Sequence, residues 1–378
     1  MKNRCLLIVA LFLNPSAAFA AKNVVLFIGD GMGQAVITAA RLHYHGARGS
    51  LGLERMPYTA FSKTYSLDST VTDSAAGATA LATGRKVANG ELSMSSGAVL
   101  ATVAELAKLS GKSVGIVSTT RLTHATPAAF YGHVKDRDGE GDLARQLLNS
   151  NFDVFLGGGL KKFDPALILK AGKFELVRTR SELVRAASSP LSGRERKPLL
   201  GLFNNDHLSY EVDRSSTSEE PSLAELTDAA LAVLRRNPKG FFLMVEGGRI
   251  DHAEHENHAA RALGEMNAFD AAISLALGRV DLGETLVIVT SDHETGGVSL
   301  NGYPAHGESL LTYPNLTFAS GPGQALTPPV ALLADDSAKH TAVDVPVYAA
   351  GAGAQAVHGV MENTDLFPIM VAGWGRKP

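Results

Sequence analysis

Short β-rich runs alternate with helical patterns along most of this chain, and that alternation constrains the fold more than any other feature. Asn23–Ile28, Ser113–Ser118, Asp153–Leu156, Leu199–Phe203, Phe241–Val245, Thr285–Thr290 and Val345–Ala349 read as strands. Thr102–Leu109, Asp142–Leu148, Leu223–Arg236 behind a capping Ser222, Ala259–Leu277 and Leu366–Ala372 read as helices. Apolar strands separated by helices predict an α/β fold with a doubly wound, mostly parallel central sheet and helices on both faces. In such sheets the ligand sits beyond the carboxyl ends of the strands, which is where an active site is expected.

Polar residues fall at those ends repeatedly. Asp30 follows the first strand, inside the glycine turn Gly29-Asp30-Gly31-Met32-Gly33. That spacing is G-x-G-x-G rather than the dinucleotide fingerprint, and no acidic partner follows, so nucleotide binding is not indicated. Glu246 follows Phe241–Val245, Asp292 and His293 follow Thr285–Thr290, and His124 and Thr126 come soon after Ser113–Ser118. Gathering Asp30, Asp73, Glu246 and Asp292 at one sheet edge would be strongly repulsive without cations. Either these acids lie apart or metals hold them together.

The stretch from Ser69 to Ala80 puts Asp73 beside Ser74 and then gives way to small residues that suit a helix. Ser74 is therefore placed at or near a helix N-terminus, where free N–H groups and the helix dipole favour an anion. Taken alone, an Asp-Ser pair is more often only a helix cap. Asp251 and His255 stand four apart, so a helical turn would put both on one face. His258 lies on roughly that face too, and spacing leaves it open. Asp292 and His293 can share an ion only if their strand has already ended, because strand neighbours point to opposite faces. His340 stands alone in the sequence.

The chain has 378 residues, is 45% hydrophobic and carries a formal charge of −3, which suits a large globular core. So balanced a charge gives no electrostatic case for nucleic acid or an anionic membrane surface. Residues 1–20 have the composition of a cleaved signal peptide: Lys2 and Arg4, an apolar run over Cys5–Leu13, then Ala18-Phe19-Ala20. An exported, periplasmic or extracellular protein is expected. Its only cysteine, Cys5, would leave with the signal, so stability must come from the core and from metals. Residues 21–378 are read as a single domain, with surface excursions near 160–221 and 301–337.

The ordered segments G-D-G-M-G at Asp30, V-T-D-S-A-A-G at Ser74, H-A-T-P-A-A-F from His124, M-V-E-G-G-R-I-D-H-A-E-H through Glu246 and Asp251, S-D-H-E-T-G-G through Asp292 and K-H-T at His340 resemble the alkaline phosphatases. The resemblance covers essentially everything after residue 20. It implies hydrolysis of small phosphate monoesters of broad structure, with Ser74 as the nucleophile that becomes phosphorylated. It further implies two zinc ions, one on Asp251, His255 and His340, the other on Asp30, Asp292 and His293 with Ser74. A magnesium would be held by Asp30, Thr126 and Glu246, and Arg137 would clamp the phosphate. Asp73, His124 and His252 would touch these groups rather than the ions. A homodimer is compatible with the resemblance.

Elementary chemistry agrees with this division. Imidazole with carboxylate suits zinc, whereas an all-oxygen set suits magnesium. An arginine can pair two phosphoryl oxygens at once, which a lysine cannot. Some family members carry an aspartate and a lysine where this chain has His124 and His252, and others carry histidines, so the identity of the third ion stays open. Related enzymes acting on phosphodiesters or sulfate esters are the nearest alternatives. However, Ser74 is followed by Ala75-Ala76-Gly77 rather than the C/S-x-P-x-R setting of sulfatases. A phosphate- or metal-binding protein without turnover is the alternative of another class.

Overall fold

A computed structural model describes residues 20–164, 166, 168, 172–189, 197–300, 316–319 and 337–374. All but the last residue of the expected signal peptide and most of the expected 301–337 excursion lie outside these residues. Strands β1 (Asn23–Ile28), β2 (Tyr58–Lys63), β3 (Ser113–Arg121), β4 (Val154–Gly158), β5 (Glu175–Val177), β6 (Leu199–Leu202), β7 (Phe241–Glu246), β8 (Thr285–Thr290), β9 (Val345–Gly351) and β10 (Gly359–Glu362) form one sheet. Its order is β10-β2-β9-β8-β1-β7-β3-β4-β6-β5. Only β9 runs against its neighbours; every other pairing is parallel. The expected mostly parallel sheet is what forms.

The helices used below are α1 (Gln34–His45), α2 (Ser74–Thr83), α3 (Val103–Leu109), α4 (Ala125–Ala128), α5 (Glu140–Asn149), α6 (Arg180–Ser188), α7 (Leu223–Leu234), α8 (Arg249–His255), α9 (Ala259–Arg279) and α10 (Leu366–Val371). They cover both faces, and strand periodicity shows how. Val24, Leu26 and Ile28 of β1 enter one core with Ala75, Ala78 and Leu81 of α2. Val25 and Phe27 enter the other, with Ile37 of α1 and Met266 and Phe269 of α9. Phe27 meets Phe269 edge to face at 5.9 Å. Each fully buried side chain of this size contributes roughly 1.5–3 kcal/mol.

Within the expected 160–221 excursion, β5 and β6 complete one end of the sheet and α6 packs beside them on α7. Both α3 and α7 begin in capping boxes, Thr102 with Glu105 and Ser222 with Glu225. No helix among the described residues is long and apolar enough to cross a membrane.

Candidate active site

Four adjacent central strands, β8, β1, β7 and β3, end on the same edge, and their exits carry the chemistry. Glu246 closes β7 in register with Ser118 of β3. The Ser118 and Thr120 hydroxyls, two apart on one strand face, both donate to its Oε2. Beyond β1 lies Asp30, and beyond β8 lie Asp292 and His293, all buried. Because β8 stops at Thr290, Asp292 and His293 are freed from strand alternation. Both come near one point, with His293 Nε2 3.3 Å from Asp292 Oδ2 and 3.4 Å from Asp30 Oδ1.

Helix α2 starts at Ser74, and Asp73 is its cap, Oδ1 accepting from the Ala76 N–H at 2.9 Å. A cap of this kind contributes about 1 kcal/mol. Gly77 lets the helix approach the Asp292 backbone, since a Cβ there would lie 2.8 Å from the Asp292 carbonyl oxygen. Ser74 Oγ consequently lies 3.1 Å from His293 Nε2, and both residues are buried. Arg137 donates from Nη1 to Asp73 Oδ2 at 3.1 Å, and its Nη2 lies 3.4 Å from His124 Nε2.

Helix α8 carries Asp251 and His255 on one face, as their spacing requires. Oδ1 of Asp251 is 3.3 Å from His255 Nε2 and 3.6 Å from His340 Nε2. His340 reaches the group because residues 340–341 pair with Glu294–Thr295 in a short antiparallel ladder. His258 does not join them: it caps α9, Nδ1 accepting from the Arg261 N–H.

Hydrogen bonding decides which ring nitrogens are free. His255 Nδ1 faces the Ala338 carbonyl at 2.6 Å and His340 Nδ1 faces the Thr72 carbonyl at 3.0 Å. A carbonyl only accepts, so each Nδ1 carries the proton, and the neutral ring presents a bare Nε2. Those two Nε2 atoms are 3.1 Å apart. The Thr295 hydroxyl donates to Asp251 Oδ1 and lies 3.2 Å from His293 Nδ1, which is thereby the protonated nitrogen of that ring. The bare Nε2 of His293 therefore faces Ser74, Asp30 and Asp292. Lone pairs converging in this way are reconciled by a cation, and such backbone and hydroxyl partners are what orient metal-binding histidines.

Atoms able to ligate a metal form three sets, each within 4.8 Å: Asp251, His255 and His340; Asp30, Asp251 and His293; and Asp30, His124 and Glu246. Thr126 Oγ1 donates to Asp30 Oδ2 at 3.4 Å, beside the third set. Asp30 Oδ1, Asp292 Oδ2, Glu246 Oε1 and His124 Nδ1 are buried and have no hydrogen-bond partner among the described residues. Burial, with Asp251 and Glu246 close by, pushes the Asp292 carboxyl up to about 8, and burial takes Glu246 up to about 7. Asp30 rises well above the carboxylate range from burial and from Asp292, Asp251 and Glu246. His293 and His124 fall well below the usual imidazole value, first from burial, then from His340 and from Arg137 respectively. These are acceptor-rich, charge-starved sites whose residues fit bound divalent ions.

Several participants carry no sequence signal of their own. Thr295 orders Asp251 and His293, and Ser118 with Thr120 orders Glu246; hydroxyls at the carboxyl end of β3 are the one hint. His207 enters from the loop after β6, its ring 4.4 Å from His252 and 5.4 Å from His124. His124 and His252 are also 5.4 Å apart. Arg121 is committed elsewhere, paired twice with Glu140.

Residues 21–320 match the alkaline phosphatase family. Alkaline phosphatase 4 of Drosophila melanogaster is 34% identical over 93% of this chain and 76% of its own length. The tissue-nonspecific alkaline phosphatase of Homo sapiens is 35% identical over 92% of this chain and 73% of its own. Among solved structures, alkaline phosphatase from the Antarctic bacterium TAB5 superposes with a TM-score of 0.77 at 30% identity, covering 94% of this chain and 98% of that one. The Thermus thermophilus enzyme gives 0.80 at 28% identity, covering 96% and 93%. A variant of the TAB5 enzyme with one histidine changed to aspartate has magnesium bound in its M3 site. Similarity of this extent places the chain in the alkaline phosphatase family.

Proposed function

We propose that this chain is an exported hydrolase of phosphate monoesters of broad structure, acting through a phosphoserine on Ser74. The observation that supports it best is Ser74 Oγ at the first turn of α2, 3.1 Å from the bare Nε2 of His293. Asp251, His255 and His340 are assigned to one zinc, and Asp30, Asp292 and His293 to a second. Asp30, Thr126 and Glu246 are assigned to magnesium, with His124 beside them. Bound there, the ions would neutralise these carboxylates and would supply the Lewis acidity that phosphoryl transfer needs.

The residues have distinct tasks. Ser74 Oγ gives up its proton to solvent as it attacks phosphorus, and the ester P–O bond breaks, the departing alkoxide taking a proton from solvent to leave as the alcohol. Water then attacks the same phosphorus, the P–Oγ bond breaks, and inorganic phosphate leaves with Ser74 restored. Asp73 holds Arg137 by one Nη, and the guanidinium grips the non-bridging oxygens through both displacements. The free N–H groups of the first turn of α2 favour the charge that develops there.

The test compares p-nitrophenyl phosphate with bis-p-nitrophenyl phosphate, each with and without chelator. Rapid, chelator-sensitive turnover of the monoester and slow turnover of the diester is the expected result. Preference for the diester would assign the phosphodiesterase reading, and no turnover of either would assign a binding protein.

A further inference from the structure

Outside the metal centre, His133 stands four residues before Arg137. Its ring touches nothing in the site, yet both of its nitrogens face acceptors. Nδ1 lies 3.0 Å from the Ser93 carbonyl and Nε2 3.0 Å from Glu105 Oε1. A neutral imidazole has one N–H and can donate to only one of them; the imidazolium satisfies both. We propose that His133, as an imidazolium, is a positioning residue that fixes the phosphate-clamping Arg137 by pinning the two chain segments that carry and support it.

The backbone supplies the link. Residues 133–137 lie alongside residues 90–93, with Leu92 and Val134 exchanging both backbone hydrogen bonds, at 2.9 and 3.2 Å. At the far end the Arg137 N–H donates to the Gly90 carbonyl at 2.9 Å. The Gly90 N–H donates to Asp73 Oδ2, the atom that Arg137 Nη1 also reaches, each at 3.1 Å. His133 closes the near end of this ladder on Ser93. Ser93 holds a left-handed backbone conformation, φ 44°, and its hydroxyl donates to the Ala129 carbonyl. So constrained a carbonyl has little freedom to follow the ring if the hydrogen bond is lost.

The surroundings favour the charged ring. Glu105, from α3, is the charged group facing it; the Ser93 carbonyl comes from the 90–93 segment. From α5, the Gln146 amide engages only the His133 backbone. Burial works against the charge, but the hydrogen bonds to Glu105 and to Ser93 outweigh it and hold the imidazole above its ordinary value. A raised histidine stabilises the fold fully below its unfolded value, and that contribution fades as pH rises through the folded one. Alkaline conditions should therefore loosen the tie and weaken the clamp.

This inference rests on the proposed role of Arg137, and two measurements keep the two apart. In the metal-loaded enzyme with ¹⁵N-labelled histidine, the His133 ring should titrate above an ordinary histidine, and Glu105→Gln should move its midpoint to lower pH. Glutamine can still accept from the Thr102 N–H, so the cap of α3 survives. Inorganic phosphate inhibition should weaken about fivefold across that titration, the size of one ordinary net hydrogen bond. In Glu105→Gln the weakening should begin at lower pH. His133→Gln should show the weaker inhibition at every pH, with KM rising more than kcat falls. A neutral His133 at pH 6, or a phosphate profile that stays in place in Glu105→Gln, would overturn the inference. If His133 titrates as described while Arg137→Ala leaves phosphate inhibition unchanged, the clamp assignment is what fails.

Discussion

His255 and His340 turn their Nε2 atoms toward each other at 3.1 Å, although each ring uses its Nδ1 proton on a backbone carbonyl. Two lone pairs so close, with Asp251 Oδ1 beside both, form a donor set that a divalent cation would hold together. Metal-binding energy at this point is therefore folding energy.

Removing metal should thus lower the melting temperature as well as the activity. Chelated, dialysed protein should melt earlier, and zinc with magnesium should restore both properties. Ligand present at 100 times its dissociation constant adds about 2.7 kcal/mol. Differential scanning calorimetry alongside elemental analysis measures this; an unchanged melting temperature in metal-free protein would contradict it.

Ser74→Ala removes the oxygen proposed to attack while leaving the imidazoles and carboxylates in place. Turnover should fall at least about 100-fold, with bound metal and melting temperature nearly unchanged. Comparison of kcat and metal content in the two proteins checks both halves.

Arg137→Ala should weaken substrate and inorganic phosphate together, because the proposed clamp grips the same oxygens in each. Loss of a charge-assisted pair costs about 1.5–3 kcal/mol, or roughly 10–150-fold. Arg137→Lys should recover only part of this, since a point charge cannot reproduce the fork. Arg121 is tied to Glu140 and Asp206, so it should not substitute.

His124 shares its set with Asp30 and Glu246, and a nitrogen donor disfavours magnesium. His124→Asp should raise magnesium occupancy and reduce the need for added magnesium, while substrate choice changes little. Superimposable magnesium titrations of the two proteins would contradict this.

Much of this was legible because apolar runs and polar punctuation coincide. Thr285–Thr290 emerges as a strand at its expected bounds, and Asp292 and His293 sit where that strand must release them. The α8 pair is equally direct, since helix geometry alone brings Asp251 to His255. By contrast, β2 reads Y-T-A-F-S-K, mostly exposed and mixed in polarity. Its partners β9 and β10 come from some three hundred residues further along, beyond any local pattern. The helix α1 was hidden behind the glycine turn, with no side chain capping its start. The roles of Thr295, His207 and His133 depend on tertiary approach, which neither spacing nor composition encodes.

Covalent capture of the turnover intermediate tests the assignment of Ser74 most directly. Metal-loaded enzyme should be mixed with a phosphate monoester, quenched in acid within the first turnovers, digested and analysed by mass spectrometry. Phosphate on the peptide containing Ser74, absent from Ser74→Ala, is the expected result. Rapid turnover with no phosphopeptide, or label on any other residue, would contradict it.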